Sequence, residues 1–194
     1  MSQAISAAED GGHFIMIPLT QGKFAIVSEA DAALVSWRKW CTRGVVGQHQ
    51  RTLYAQTTVC ADELVGVPLP GRRTPGPRVD VAMHWLLTGH VLVDHVNHNG
   101  LDNRRINLRV ATAAQSVANR RLFRNNTSGY KGVYRVRNSR KWKAQISIDG
   151  HDKHLGVFDD PVEAARAYNR AAIGEWGEFA WLNPIPDAPE SPAA

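Results

Sequence analysis

The chain has 194 residues, of which 43% are apolar and 21% are charged, a composition typical of a globular protein with a buried core. Its formal charge of +5 points to an anionic partner, and residues 100–148 carry twelve basic residues against Asp102 alone. No apolar run approaches a membrane span, residues 1–12 lack the pattern of a signal peptide, and two cysteines are too few for a disulfide framework or a zinc site. These absences predict a soluble protein in a reducing cytoplasm.

The N-terminal region reads as a hairpin followed by a helix. Short apolar runs at residues 13–19 and 23–27 are separated by a polar turn that contains Gly22, which predicts a β-hairpin. Ser28, with an acidic residue three positions later, predicts the start of a helix. Trp37 and Trp40 lie near helical spacing on it, so we expect both in the core.

A loop and a short helix are expected next. Residues 66–78 are too rich in proline and glycine for regular structure, so this segment is predicted to be a loop or linker. The apolar run 81–88 predicts a short buried helix that ends at Gly89. On this helix, His84 is expected to be a packed core histidine rather than a ligand.

The chemistry-bearing residues follow this helix. Residues 91–93 are predicted to form a strand that leads into Asp94 and His95, and the chain is expected to return as a strand at 108–111. A capping box that opens at Thr112 then predicts a helix. The resulting order is strand, loop, strand and helix.

Asp94 and His95 are candidates for two different roles in phosphodiester hydrolysis, those of metal ligand and general base. That reaction needs a base to activate water and a cation to stabilise charge on the phosphoryl oxygens. A neutral imidazole suits the base, and a single carboxylate with waters and substrate phosphate suits Mg²⁺.

The stretch VDHVNHNGLDNRRINLRVAT resembles the core of HNH endonucleases of the homing type, which have the ββα-metal fold. The resemblance covers residues 91–121 and extends to the hairpin and helix before them. It implies that Asp94 binds a divalent metal, Mg²⁺ or Mn²⁺, that His95 is the general base, and that Asn107 braces the loop so that the imidazole stays oriented.

Ser116 departs from this family pattern. Where the family usually has Asn or His as its last metal ligand, this chain has Ser116, whose hydroxyl is a weaker and shorter-reaching donor than an amide oxygen. Asn119, on the same predicted helical face, could partly substitute for it. The departure leaves open an active enzyme and one whose site has decayed.

The C-terminal region predicts a sheet packed on a helix. Strands are expected at residues 130–136, 142–148 and 153–158, and a helix is expected to start at Asp160 and to end at Gly174. Alternation divides the middle strand into a packing face and a polar face. The packing face carries Trp142, Ala144, Ile146 and Ile148.

The runs SGYKGVYRVRNSRKWKAQI, HLGVFDDPVEAARAYNRAAI and FAWLN resemble the plant ethylene-response-factor (ERF) type DNA-binding domain, which is also found fused to phage and homing HNH nucleases. In that family the sheet enters the major groove, and the helix supports it from behind. The resemblance places Lys131, Tyr134, Val136, Lys143, Gln145, Ser147 and His154 toward DNA. The plant proteins have other residues at several of these positions, so we expect weak or different sequence specificity.

Further arginines are expected to supply salt-sensitive contacts to phosphate. The arginines expected to contact DNA are Arg104, Arg105, Arg120, Arg121, Arg135 and Arg137. In the ERF-like region, Arg140 and Lys141 are expected to act together with Arg135 and Arg137.

The sequence therefore predicts an α+β protein with a ββα-metal nuclease module and a three-stranded antiparallel sheet packed on one helix. The expected segments are a flexible N-terminus (1–12), the N-terminal region with the nuclease module (13–121), a basic linker (122–129), the ERF-like domain (130–183) and a disordered tail (184–194).

Three functions stay open at this point: an endonuclease that nicks double-stranded DNA, a DNA-binding regulator with a decayed site, and a scaffold protein. No membrane partner is expected, and the oligomeric state is left open. The resemblance suggests a phage or mobile-element origin and hence the cytoplasm of a bacterium or an infected host.

Overall fold

The computed structural model describes residues 13–46, 51–60, 78–123 and 125–186. The chain divides into two compact units, Met1–Ser116 and Val117–Ala194. The expected flexible N-terminus, most of the proline-rich loop and residues 187–194 of the expected tail lie outside the described residues. Within the described part of the chain, no helix is long and apolar enough to cross a membrane.

The first unit combines three small sheets with short helices. Its elements are β1 Phe14–Pro18, β2 Phe24–Ser28, α1 Ala32–Val35, β3 Cys41–Val46, β4 Arg51–Cys60, β5 Arg78–Ala82, α2 Met83–Thr88, β6 Val93–His95, β7 Asp102–Asn103, β8 Leu108–Val110 and α3 Ala113–Ala118, the last of which continues into the second unit. Strands β1 and β2 form the predicted hairpin, and β7 pairs with β2 in parallel. Strands β3, β4 and β5 form an antiparallel sheet, and β6 pairs with β8.

The helix predicted after the hairpin is shorter than expected. Helix α1 ends at Val35, and the Ser28 hydroxyl makes no capping bond, because it accepts a hydrogen bond from the Arg105 amide instead. Trp40 is buried as expected, and its indole donates to the Val35 carbonyl oxygen. The expectation that Trp37 lies in the core is wrong: Trp37 is 63% exposed, and the Arg38 guanidinium stacks on its ring.

The region between α1 and α2 also differs from the sequence prediction. Strands β3 and β4 have no counterpart in that prediction, and Val81 belongs to β5 rather than to the following helix. Helix α2 ends at Gly89, as predicted, with a left-handed φ of 73°. The main core joins the hairpin to β4 and α2, through Val27, Ala55 and Met83 among others.

The second unit contains the predicted three-stranded antiparallel sheet and its helix. The sheet consists of β9 Val133–Arg135, β10 Trp142–Ile148 and β11 His151–Phe158, in the order β11-β10-β9. Helix α4, Pro161–Trp176, starts with an Asp160 side chain that accepts from the Val162 amide. Its alanines pack on Val133 and Ala144, so the small-residue stripe covers the sheet as expected.

The C-terminal end of this unit differs from the sequence prediction in two ways. Gly174 does not end α4, which continues to Trp176 and stops at Gly177 with a φ of 53°. Part of the expected disordered tail is packed: Ile185 lies against the core cluster of the sheet and helix. These findings confirm an α+β protein with several small antiparallel sheets and a sheet-on-helix module.

The close approach of Gly132 to α4 generates a prediction for stability. Gly132 has a φ of 73°, and a Cβ there would overlap the Tyr168 ring, whereas Gly129 has a φ of 78° and open space around it. We expect Gly129→Ala to cost about 1–2 kcal/mol, because of the left-handed backbone alone. Gly132→Ala should cost roughly 1–3 kcal/mol more, because the Cβ would also overlap the Tyr168 ring and meet the Gln145 carbonyl oxygen of β10.

Hydrogen exchange of the β10 amides in the full chain measures this difference locally. The matched glycine at position 129 controls for backbone strain. Equal losses of protection in the two variants would show that the Tyr168 contact does not constrain the packing.

Candidate active site and nucleic-acid interface

Asp94 and His95 lie within strand β6 and not after it. Their register partners on β8 are Arg109 and Leu108. Val91 and Leu92 are exposed and precede the strand. Helix α3 follows β8, and its capping box is formed as predicted: the Thr112 amide donates to Gln115 Oε1 at 2.8 Å, and the Gln115 amide donates to Thr112 Oγ1 at 3.2 Å. The order of strand, loop, strand and helix is thus present.

Asn107 holds the loop between the two strands together. Its side chain is buried, its Oδ1 accepts from the Asn97 amide at 2.9 Å, and its Nδ2 donates to the Asp102 carbonyl oxygen at 2.7 Å. Asn97 also donates to the Asp102 carboxylate. These bonds are those of a residue that braces the loop backbone, and none of them reaches the imidazole of His95.

The His95 imidazole is enclosed by aromatic and amide side chains. It is 5% exposed, and its ring centroid lies 5.6 Å from that of Tyr54 and 5.2 Å from that of His84. Its Nε2 lies 3.4 Å from Asn103 Oδ1. Burial lowers the pKa of His95, against the opposing effects of Asn103 and the Asp94 and Asp102 carboxylates. The ring is therefore neutral at neutral pH, as a general base must be.

Gly100 allows the loop to approach β4 closely. A Cβ at this position would meet the Leu53 carbonyl oxygen and the Tyr54 ring. The Tyr54 ring also packs on His95 and His84. The absence of a side chain at Gly100 therefore leaves room for the ring that encloses the imidazole.

Asp94 is paired with Arg109, its cross-strand neighbour. Arg109 Nε and Nη2 donate to Asp94 Oδ2 at 2.9 and 2.7 Å, and both side chains are less than one-sixth exposed. Among the described residues, no group of three or more His, Cys, Asp or Glu could form a cage for a metal ion. A hard cation can nevertheless be held by one carboxylate, waters and substrate phosphate. The Asp94 carboxylate is an oxygen donor of the kind that such a cation takes, and Arg109 already donates two hydrogen bonds to it.

Ser116 lies on α3, where it is half-buried, and its amide donates to the Thr112 carbonyl oxygen. Asn119, the suggested substitute, follows the end of α3, is 5% exposed and belongs to the second unit. The assignment of Ser116 as a metal ligand stays a prediction.

Two arginines expected at DNA are bonded to aspartates within the first unit. Arg104 donates to the buried Asp102 carboxylate at 2.8 and 2.7 Å, and Arg105 donates to the buried Asp31 carboxylate at 2.8 and 2.6 Å. Burial alone would raise the pKa of Asp102, but the bonds from Arg104 outweigh it and lower that pKa. Both arginines therefore have a structural role, whatever they contribute at DNA.

The second unit presents a polar sheet face of the kind predicted. Lys143 pairs with Tyr134 and Gln145 pairs with His154, on the face opposite the buried Ala144 and Ile146. Ser147 follows on that face and is exposed. The register shifts between Ala144 and Gln145, so β11 has an extra residue there.

Other predicted DNA contacts occupy different positions. Arg135 pairs with Trp142 and lies over its ring, hence on the opposite face from Tyr134. Lys131 Nζ donates to the Ala118 and Arg120 carbonyl oxygens, and burial, followed by the charge of Arg120, lowers its pKa to about 8. Arg120 and Arg121 are exposed, and Arg137 and Arg140 line an open hollow of about 520 Å³ with Arg135.

Comparison with known proteins finds two kinds of relative. Over 95 residues, 49% of this chain and 48% of the relative, the chain is 34% identical to an uncharacterised HNH endonuclease of Acanthamoeba polyphaga mimivirus. Over 64 residues of a separate segment, 33% of this chain, it is 42% identical to APETALA2-like protein 2 of Oryza sativa subsp. indica, covering 15% of that protein. An AP2-like ethylene-responsive transcription factor of Arabidopsis thaliana is 41% identical over the same length, covering 13% of that protein.

The chain thus spans about half the length of the viral relative and a smaller share of the plant ones. No family model and no solved structure matches it. This chain is thus similar to an HNH endonuclease over one segment and to AP2/ERF-type transcription factors over another, which confirms the double resemblance drawn from the sequence.

Sequence reasoning missed three residues of the site: Asn103, Tyr54 and Arg109. Asn103 lies within the family-like stretch, but nothing local indicates that its amide meets His95. Tyr54 lies on an unpredicted strand, and Arg109 was counted as part of the basic segment. Pairing the two predicted strands in register, with Asp94 opposite Arg109, would have identified Arg109.

The contact between the half-buried His84 and the buried His95 generates a prediction for stability against pH. Burial, followed by the charge of His95, lowers the pKa of His84 to about 3. An unfolded histidine titrates near pH ~6.5, so the unfolded state binds more protons between these values and stability falls as the pH falls through that window. We expect His84→Phe to reduce this pH dependence by up to about 1.4 kcal/mol per pH unit.

Urea denaturation of the full chain, followed by tryptophan fluorescence at several pH values, measures this slope. His90→Phe is the matched control, because His90 is exposed in the same unit and the change there should leave the slope unaltered. If the free energy of unfolding of His84→Phe had the same slope against pH as that of the wild type, protonation of His84 would cost no folding stability.

Proposed function

We propose that this protein is a metal-dependent endonuclease that nicks double-stranded DNA. The observation that carries the proposal is a buried, neutral imidazole, His95, next in the chain to the Asp94 carboxylate, within a strand-loop-strand-helix arrangement. The HNH endonuclease homologue supports the nuclease class, and the AP2-type homologues support DNA as the partner.

In the proposed reaction, His95 accepts a proton from a water molecule, and the water oxygen forms a bond to phosphorus. The bond between phosphorus and the leaving sugar oxygen breaks, and that oxygen takes a proton from solvent. The imidazolium then returns its proton to solvent. Asn107 supports this step indirectly, because it holds the loop that follows His95.

Asp94 would hold the cation, Mg²⁺ or Mn²⁺, with Ser116 as a further oxygen donor. When bound, such an ion stabilises negative charge on the phosphoryl and leaving oxygens. Arg109 must share the Asp94 carboxylate with it or move toward a DNA phosphate.

The C-terminal sheet would hold the DNA. Its polar face carries Tyr134, Lys143, Gln145, Ser147 and His154, and the arginines at the β9–β10 turn lie where they can reach phosphates. Arg120 and Arg121 would add contacts to the backbone. Phosphate contacts position a protein, while the amide and imidazole on the sheet face can read base edges.

The test of catalysis is incubation with supercoiled plasmid. We expect nicking with Mg²⁺ or Mn²⁺ and none with a chelator, and His95→Ala should slow nicking by roughly 100- to 10,000-fold, because it removes the base.

His90→Ala is the matched control, since His90 is an exposed histidine of the same unit and should nick at the wild-type rate. Nicking by His95→Ala at the wild-type rate would exclude His95 as the base.

The sheet-face assignment predicts a difference between two lysines. Lys143 lies on the polar face, whereas Lys153 pairs with Ile146, whose side chain is in the core. Lys143→Gln should weaken binding to a mixed-sequence duplex and reduce the slope of log affinity against log salt by about one. Lys153→Gln, the matched control, should leave the slope nearly unchanged.

Fluorescence anisotropy at several salt concentrations measures both slopes. A larger effect of the Lys153 change than of the Lys143 change would mean that DNA does not lie on the proposed face.

A second candidate function is a DNA-binding regulator that no longer cuts. Ser116 in place of the usual Asn or His, and the pairing of Asp94 with Arg109, favour it. It predicts salt-sensitive duplex binding without nicking at either metal, and nicking regained by Ser116→Asn but not by Ala114→Asn, an exposed position on the same helix.

A further inference from the structure

Asn103 is held rigidly beside the base proposed above. It lies on β7, where its backbone pairs with Val27 of β2, and its side chain is fully buried. The preceding Asp102 is fixed by bonds from Arg104 and Asn97. The Asn103 amide therefore has little freedom to move away from the imidazole.

The contact between Asn103 and His95 joins specific atoms. Asn103 Oδ1 lies 3.4 Å from His95 Nε2. An amide oxygen has no proton to donate, so Nε2 must carry the hydrogen for the contact to be a bond. A neutral imidazole has one N–H group, and the lone pair is then on Nδ1.

The amide nitrogen of Asn103 indicates that the contact between Asn103 and His95 serves function rather than stability. Asn103 Nδ2 is buried and has no hydrogen-bond partner among the described residues. An unsatisfied buried donor costs about 1–3 kcal/mol, so an apolar residue would be the more stable choice if packing alone mattered. The neighbouring rings of Tyr54 and His84 lie at 5.6 and 5.2 Å from the imidazole between ring centroids and restrict its plane.

We propose that Asn103 is a positioning residue that fixes the Nε2-protonated tautomer of His95, so that Nδ1 is the nitrogen that accepts the proton from the attacking water. This inference rests on the proposed nuclease function and assigns the base to one atom. It also separates two asparagines: Asn107 holds the loop backbone, while Asn103 acts on the ring.

Nitrogen NMR of the full-length, metal-free protein with ¹⁵N-labelled histidine tests the tautomer directly. Signals of His95 are those missing from the spectrum of His95→Ala. We expect a protonated-type Nε2 and an unprotonated-type Nδ1 in the wild type. In Asn103→Ala we expect a mixture of the two tautomers, with a fall of about tenfold or more in kcat for nicking and little change in KM for DNA.

Asn103→Asp keeps an acceptor at Nε2 and removes the unsatisfied donor, so it should retain the Nε2-protonated form. It also serves as the deciding variant if Asn103→Ala does not fold by circular dichroism. A proton on Nδ1 in the wild type, an unaltered tautomer in folded Asn103→Ala, or a switch to Nδ1 protonation in Asn103→Asp would each overturn the proposal.

The tautomer readout does not depend on cleavage. Absence of nicking by the wild type would count against the proposed function, while the spectra would still decide the role of Asn103.

Discussion

The site depends on a parallel pairing of only two residues, in which Asp102 and Asn103 add to the hairpin strand β2. This pairing attaches the loop between β6 and β8 to a fully buried part of the first unit, because the neighbouring Val27 is 0% exposed. The buried carboxylate of Asp102 orders Asn97 and Arg104, and the amide of Asn103 meets the imidazole of His95. The loop thus holds the His95 imidazole in a fixed setting, although much of it is irregular.

Three arginines near the site in the first unit are paired with aspartates. Arg104, Arg105 and Arg109 donate to Asp102, Asp31 and Asp94, so these arginines neutralise aspartates as well as contributing to the positive segment. The pair of Asp31 and Arg105 also ties the loop to the segment after the hairpin. By contrast, Arg121, Arg137 and Arg140 in the second unit are exposed. The net positive charge of the basic segment is therefore concentrated more in the second unit than the sequence count suggests.

The local patterns of the sequence were sufficient for elements in which short-range chemistry decides the structure. The hairpin, the capping box of α3, the start of α4 and the face pattern of β10 are formed as predicted, because each depends on neighbouring residues or on simple periodicity. The end of α4 was wrong by one glycine: Gly174 lies in open space and tolerates a helical backbone, whereas Gly177 adopts a positive φ. Trp37 was misplaced because α1 stops before it.

For the site, the chemical identities can be read from the chain alone: a histidine next to an aspartate, a loop rich in asparagine, and a basic C-terminal sheet on a small-residue helix. The partners of these side chains depend on the fold. Asn103 meets His95 because β7 joins a strand that is distant in sequence, Tyr54 reaches the imidazole from an unpredicted sheet, and Ser28 binds the Arg105 amide instead of capping a helix. Such contacts join residues far apart in the chain, and no local periodicity or propensity encodes them.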